Sequence, residues 1–290
     1  MNRILSLIFF LGLTNFSIAA APKVVVSIQP VKALVAGVMK GIGTPKLLLA
    51  PYESAHHFSL TPSEAEAIYQ SDLFIWVGPQ MENMLEKASK TLAINGRVLT
   101  LMDVKDMTIL ELAEGQKDPH LWLDPENAKK IVQATADTLA SIDPDNAGIY
   151  QENAKQLIVD LEALKAKLLK RLDPLKGKHY LVYHDAFQYY EKAFGLNRSI
   201  PLVKDTEHTI RASQRKFIDQ QVNEKNIQCV FGEPNHGESV VENVARALNL
   251  HVGFLNPMGS DDETNPSSPY FDMMEEIASS LSDCLTRDPK

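Results

Sequence analysis

Leu157-Ile158-Val159-Asp160-Leu161-Glu162-Ala163-Leu164-Lys165-Ala166-Lys167-Leu168-Leu169-Lys170-Arg171-Leu172 is the stretch on which the fold turns. Leucines 157, 161, 164, 168 and 172 recur every three or four residues, the spacing that lines one face of an α-helix. No proline stands between residues 146 and 172, and the only glycine there is Gly148. The predicted helix is roughly 40 Å long at about 1.5 Å per residue. One helix of a compact βα unit does not need that length. It reads as a strut between two domains, with the leucine row as core; a hairpin broken near Asp160 is the lesser alternative.

On both sides of the strut, short apolar runs alternate with helical periodicity. Before it, residues 23–28, 46–49, 73–78 and 97–102 read as strands buried on both faces. Residues 31–39, 61–70 and 81–92 read as the helices between them. Thr61-Pro62-Ser63-Glu64 is a helix start, with Thr61 as N-cap, Pro62 at the first helical position and Glu64 closing a capping box. A further helix is expected over 127–142, after a connecting loop at 103–117. Beyond the strut, 180–183, 199–203, 228–231 and 251–255 read as extended, and 186–194, 213–224, 238–248 and 270–285 as helices. Such alternation builds parallel sheets with helices on their faces. The predicted class is α/β: two parallel-sheet α/β lobes joined by a single long rigid helix. The expected boundaries are a signal peptide at 1–21, an N-terminal lobe at 22–143, the linking helix at 144–173 and a C-terminal lobe at 174–290.

The first residues carry one positive charge at Arg3, an apolar run over 4–13 and small residues over 17–21. That is the form of a secretory signal peptide cleaved near residues 19–21. The apolar run is short for a membrane span, and no later stretch is long and apolar enough for one. The expectation is an exported, monomeric chain that does not itself cross the membrane. A net charge of −8 argues against nucleic acid as a partner. In an oxidising compartment the two cysteines, Cys229 and Cys284, read first as a disulfide, the alternative being two buried thiols. Closing such a loop contributes roughly 4 kcal/mol by chain entropy.

His120 stands between two Asp-Pro pairs, in Asp118-Pro119-His120-Leu121-Trp122-Leu123-Asp124-Pro125. Each proline fixes its own φ and keeps the preceding aspartate out of the helical region, so the loop is stiff. His56 follows the second predicted strand, His120 the fourth, and His184 the first strand of the second half. Ligand sites in open α/β sheets gather beyond the carboxyl ends of strands. Two sheets facing each other would bring these loops into one interdomain cleft, and three neutral imidazoles suit Zn2+. The bland alternative for each is an ordinary hydrogen-bonded histidine. His57, His208, His236, His179 and His251 take that bland reading. Asp124 and Asp185 could orient ligating imidazoles or simply cap helices. Trp76 and Trp122 read as packing residues.

With those segments in view, the chain resembles the zinc-binding periplasmic proteins of ABC importers, within the zinc/manganese cluster of solute-binding proteins. Residues 55–63 resemble the family's first-ligand segment, 118–125 its second, and Tyr183-His184-Asp185-Ala186-Phe187 its third. Phe231-Gly232-Glu233-Pro234 and Leu255-Asn256-Pro257-Met258-Gly259 also match in kind, and the cysteines are placed like the disulfide of the zinc-uptake type. The likeness covers essentially the whole chain after residue 21. It implies two α/β lobes with metal between them, a periplasmic receptor delivering Zn2+ to an ABC permease of the inner membrane, and no enzymatic activity.

Two departures bear on the site. Asn256 stands where the family places an acidic fourth ligand, which leaves that position to water, Asn256, Asp261 or Asp262. Residues 103–117 contain no histidine, whereas many zinc-type members carry a His-rich loop there. A histidine at the third position favours zinc, because manganese-type members place a carboxylate there. The other readings are a manganese or iron receptor on the same fold and, from a different class, a zinc hydrolase with three histidines and a water.

Overall fold

The computed structural model describes residues 20–49, 58–91, 96–112, 115–203, 210–234, 236–259 and 267–288. Expectations that fall on residues 1–19, His56, His57, His208, Asp261 and Asp262 lie outside these residues. The first half comprises β1 (Val24–Val26), α1 (Gln29–Val38), β2 (Lys46–Leu47), α2 (Pro62–Tyr69), β3 (Leu73–Trp76), α3 (Leu85–Thr91), β4 (Arg97–Thr100) and α4 (Pro125–Ile142). The long helix is α5 (Ala147–Leu172). The second half comprises β5 (Leu181–Val182), α6 (Gln188–Phe194), β6 (Ile200–Pro201), α7 (Ala212–Glu224), β7 (Cys229–Gly232), α8 (Glu238–Leu248), β8 (His251–Phe254) and α9 (Ser268–Leu285).

The strands form two parallel sheets, ordered β2-β1-β3-β4 and β6-β5-β7-β8. Each repeats the other's connectivity. The inner strands β1, β3, β5 and β7 are buried throughout, as their continuous apolar runs require. In each sheet the first strand connects outward to one side and the third to the other. The crevices beyond β1/β3 and β5/β7 are therefore the switch points where such sheets take ligands.

Helix α5 is embedded and does not stand free. Its buried face, Tyr150, Ala154, Leu157, Leu161, Leu164, Leu168 and Leu172, packs on α1 and α4 from the first lobe and on α6 and α9 from the second. One hydrophobic core runs from Val26 and Leu34 through Leu161 and Leu168 to Tyr180, Phe231 and Ile277. Each leucine buried in it contributes about 1.5–3 kcal/mol. Cys229 of β7 and Cys284 of α9 are disulfide-bonded, with Cα atoms 6.2 Å apart. Among the described residues no helix is long and apolar enough to cross a membrane.

Most helix starts fall within a residue or two of the sequence reading, and the shifts at two of them have local reasons. The helix expected from residue 81 begins at Leu85. Ahead of it, the buried Glu82 carboxylate accepts hydrogen bonds from Ser27 Oγ at 2.5 Å, Val77 N at 3.3 Å and Gly78 N at 3.0 Å. This clamps the turn after β3 to the end of β1, and burial pushes the Glu82 carboxyl up to about 7. The helix expected from residue 127 begins at Pro125, because the Asp124 side chain accepts the Glu126 N–H at 2.9 Å as its N-cap. At α2 the expected capping box is present, formed by Thr61 and Glu64.

Candidate metal centre

The Asp118–His120 loop carries its own orienting carboxylate. Asp118 is fully buried, and its Oδ1 accepts from both the backbone N–H of His120 at 3.0 Å and its ring Nδ1 at 2.9 Å. Pro119 holds the two residues close enough for one oxygen to take both bonds. With Nδ1–H donated to a carboxylate, the neutral imidazole keeps its lone pair on Nε2. A 3-10 turn, Leu121–Leu123, then buries Trp122 directly behind the histidine, with ring centroids 5.4 Å apart.

His184 is built the same way from the opposite lobe. It lies two residues past β5, is 5% exposed, and directs Nδ1 at the carboxylate of Glu233, the residue following β7. Burial alone would lower the His184 pKa. The Glu233 charge and hydrogen bond, with Asp185 and Asp118 adding to them, overcome burial and raise it. Again the lone pair falls on Nε2.

The two Nε2 atoms meet 3.4 Å apart. Two nitrogen lone pairs at that distance repel unless a proton or a cation lies between them. Two zinc–nitrogen bonds of about 2.0–2.1 Å at a tetrahedral angle place their nitrogens about 3.3 to 3.4 Å apart. Both imidazoles are thus oriented as ligands are, each backed by a carboxylate on its other nitrogen. Among the described residues no third histidine, cysteine or carboxylate joins them to complete a metal-binding group; His56 lies outside those residues.

The carboxylates behind the histidines are not the two anticipated from sequence. Asp124 caps α4. Asp185 pairs with Arg198, which also reaches the buried Glu191 at 2.9 Å. Asp118 and Glu233 hold the imidazoles instead. Both stood in segments already singled out, Asp118 two residues before His120 and Glu233 in Phe231-Gly232-Glu233-Pro234. Hydrogen-bond direction was the missing information, because a carboxylate next to a histidine in sequence need not face its ring. Asn256, two residues past β8, turns its side chain on its own loop. Its Oδ1 accepts Met258 N–H at 3.0 Å and its Nδ2 donates to Gly259 O at 2.9 Å. His179 contacts Asn197, and His251 Nε2 bonds Asp288 O at 2.9 Å, both away from the pair. His236 follows the Glu233 turn, its backbone N–H donating to Glu233 O at 3.2 Å. Trp76 bonds Thr100 across β3 and β4. Trp122, read as packing, also donates its indole N–H to the carbonyl of Pro257 across the cleft at 2.8 Å.

Comparison with known proteins adds an independent line. The family model described as zinc-uptake complex component A, periplasmic, matches residues 24–284. The high-affinity zinc uptake system protein ZnuA of Brucella suis is 31% identical, over 96% of each chain. Its namesake in Paracoccus denitrificans is 30% identical, over 93% of this chain and 94% of that one. A crystal structure of ZnuA superposes with a TM-score of 0.82 at 22% identity, covering 92% of this chain and 100% of that one. A Zn(II)-bound variant of AdcAII from Streptococcus pneumoniae superposes with a TM-score of 0.81 at 26% identity, over 92% of this chain and 99% of that one.

Proposed function

The chain belongs to the family of periplasmic A components of zinc-uptake complexes, and from that premise we propose that it captures Zn2+ in the periplasm and hands it to an ABC permease of the inner membrane. The observation that carries this reading is the 3.4 Å approach of His120 Nε2 and His184 Nε2, each ring backed by a carboxylate. Zinc is cargo here, bound and released without chemical change. His120 supplies one ligand from the N-terminal lobe and His184 one from the C-terminal lobe. His56 is the third, on the strength of its segment's likeness to the family's first-ligand segment. Both Asn256 side-chain groups serve its own turn, which favours water over Asn256 at the fourth position. The signal peptide at 1–21 delivers the chain to the periplasm, where it acts as a monomer.

Neutral imidazoles prefer zinc to the harder manganese ion. The test is metal content of protein purified without chelators, followed by competitive titration with Zn2+ and Mn2+. One equivalent of zinc, displaced by manganese only at large excess, is expected. Replacing His120 or His184 by alanine should abolish high-affinity binding. Retention of wild-type zinc affinity in both variants would overturn the assignment.

A further inference from the structure

The phenol of Tyr189 makes two bonds that no reading of the ligands themselves requires. Tyr189 lies in the first turn of α6, five residues after His184, and is 1% exposed. Its hydroxyl accepts the Leu110 N–H at 2.9 Å and donates to the carbonyl of Asp118 at 2.9 Å. Leu110 and Asp118 are themselves joined, Asp118 N–H donating to Leu110 O at 2.8 Å. Alongside, Gln188 Nε2 donates to Glu111 O at 3.1 Å. One hydroxyl of the C-terminal lobe therefore sits in the backbone pair that closes the loop leading to His120. The carboxylate of that same Asp118 holds the His120 ring. A continuous path runs from His184 along residues 184–189, through the Tyr189 hydroxyl to Asp118, and on to His120 Nδ1.

We infer that Tyr189 is a positioning residue for metal capture, tying the His120 loop of one lobe to the helix that follows His184 in the other, so that the two ligating nitrogens are held at binding distance before metal arrives. The inference rests on the zinc-receptor reading above. Preorganisation of this kind acts mainly on release, because a ligand fixed from behind cannot swing away from the ion. The neighbouring Tyr190 provides an internal control. It is equally buried and on the same helix, but its hydroxyl donates to Met274 O at 3.0 Å, in α9. Both tyrosines stabilise the fold by a buried hydrogen bond; only Tyr189 connects to the His120 loop.

The test compares the wild-type chain with Tyr189→Phe and Tyr190→Phe. Zinc release is followed by transfer to a chromophoric chelator, and site geometry by the visible absorption of the Co2+-loaded protein. Tyr189→Phe should release zinc several-fold faster, less than the loss expected for a group bonded directly to a ligand, and should alter the cobalt bands. Tyr190→Phe should lower the melting temperature while leaving release rate and bands as in wild type. Release from Tyr189→Phe within twofold of wild type, or equal acceleration in both variants, overturns the inference while leaving the zinc reading intact. Failure of the wild-type chain to bind zinc overturns both.

Discussion

The indole N–H of Trp122 donates to the carbonyl of Pro257 at 2.8 Å, and the carbonyl of Trp122 accepts the Tyr270 hydroxyl at 2.8 Å, so this one residue is bonded at both ends to the opposite lobe. Its ring also abuts His120. Loading zinc at His120 should therefore change tryptophan emission, saturating at one equivalent, and Trp122→Phe should remove that signal. The same variant strands the buried Pro257 carbonyl, and a loss of about 1–3 kcal/mol in urea unfolding is expected. An undiminished zinc response in Trp122→Phe would assign the reporter role to Trp76 instead.

The continuous core along α5 makes wide lobe opening expensive. Each 100 Å² of apolar surface exposed costs about 2.5 kcal/mol. Metal-free and zinc-loaded protein should give nearly superimposable small-angle scattering curves, with any change confined to loops. A change in radius of gyration as large as that of hinge-closing sugar receptors would contradict this.

Glu233 raises the pKa of His184 above its ordinary value, which sets a direction for pH dependence. A proton on His184 must leave before zinc binds, so affinity falls as pH drops through the raised value. In the metal-free protein the same pair stabilises the fold below about pH 6.5, and that contribution is lost as pH rises through the raised value. Glu233→Gln removes the chief raising charge. The fall in zinc affinity should then move to lower pH, while affinity above the raised value, where the imidazole is neutral in both proteins, should weaken by about tenfold to a hundredfold. Titrations across pH 5.5 to 8 check both; parallel curves with no shift would rule out Glu233 as the source.

Glu82 gives stability the same sense of pH dependence as His184. It is an acid whose folded value is raised, from 4.5 to about 7, by burial. Between those values the folded state holds a proton that the unfolded state has released, so stability falls as pH rises through that window. The shift corresponds to roughly 3 kcal/mol. Glu82→Gln cannot titrate, and its amide would face backbone donors. It should be the less stable protein near pH 5, with the gap narrowing toward pH 8. Urea unfolding of the metal-free proteins at the two values decides it, and a gap constant with pH would show that Glu82 does not titrate in this range.

Much of this architecture is legible in the chain because periodicity and burial are local signals. The leucine row announces α5, and the all-apolar runs announce strands buried on both faces. The placement of His120 and His184 beyond strand ends marks them as candidate ligands. What sequence does not carry is direction. Asp124 and Asp185 adjoin the right loops but serve a helix cap and Arg198, while Asp118 and Glu233 face the rings. Helix α3 starts late because Glu82 reaches back to Ser27, 55 residues away in sequence. No short-range pattern records such a contact. Nor does the leucine spacing tell that one apolar face serves both lobes, since that depends on where α1 and α9 lie.

The shared strand order of the two sheets has a consequence for how such a molecule divides its labour. Equivalent crevices open beyond β1/β3 and beyond β5/β7, and each contains a buried glutamate reaching across to a residue that follows the first strand. In the first half the pair is Glu82 with Ser27, and backbone N–H groups complete the glutamate's shell. In the second it is Glu233 with His184, and the partner has a second nitrogen left to present to the cleft. The pseudo-symmetry is one of architecture and not of use. An hydroxyl at that position closes the crevice on itself, whereas an imidazole passes the glutamate's influence outward to whatever the cleft holds.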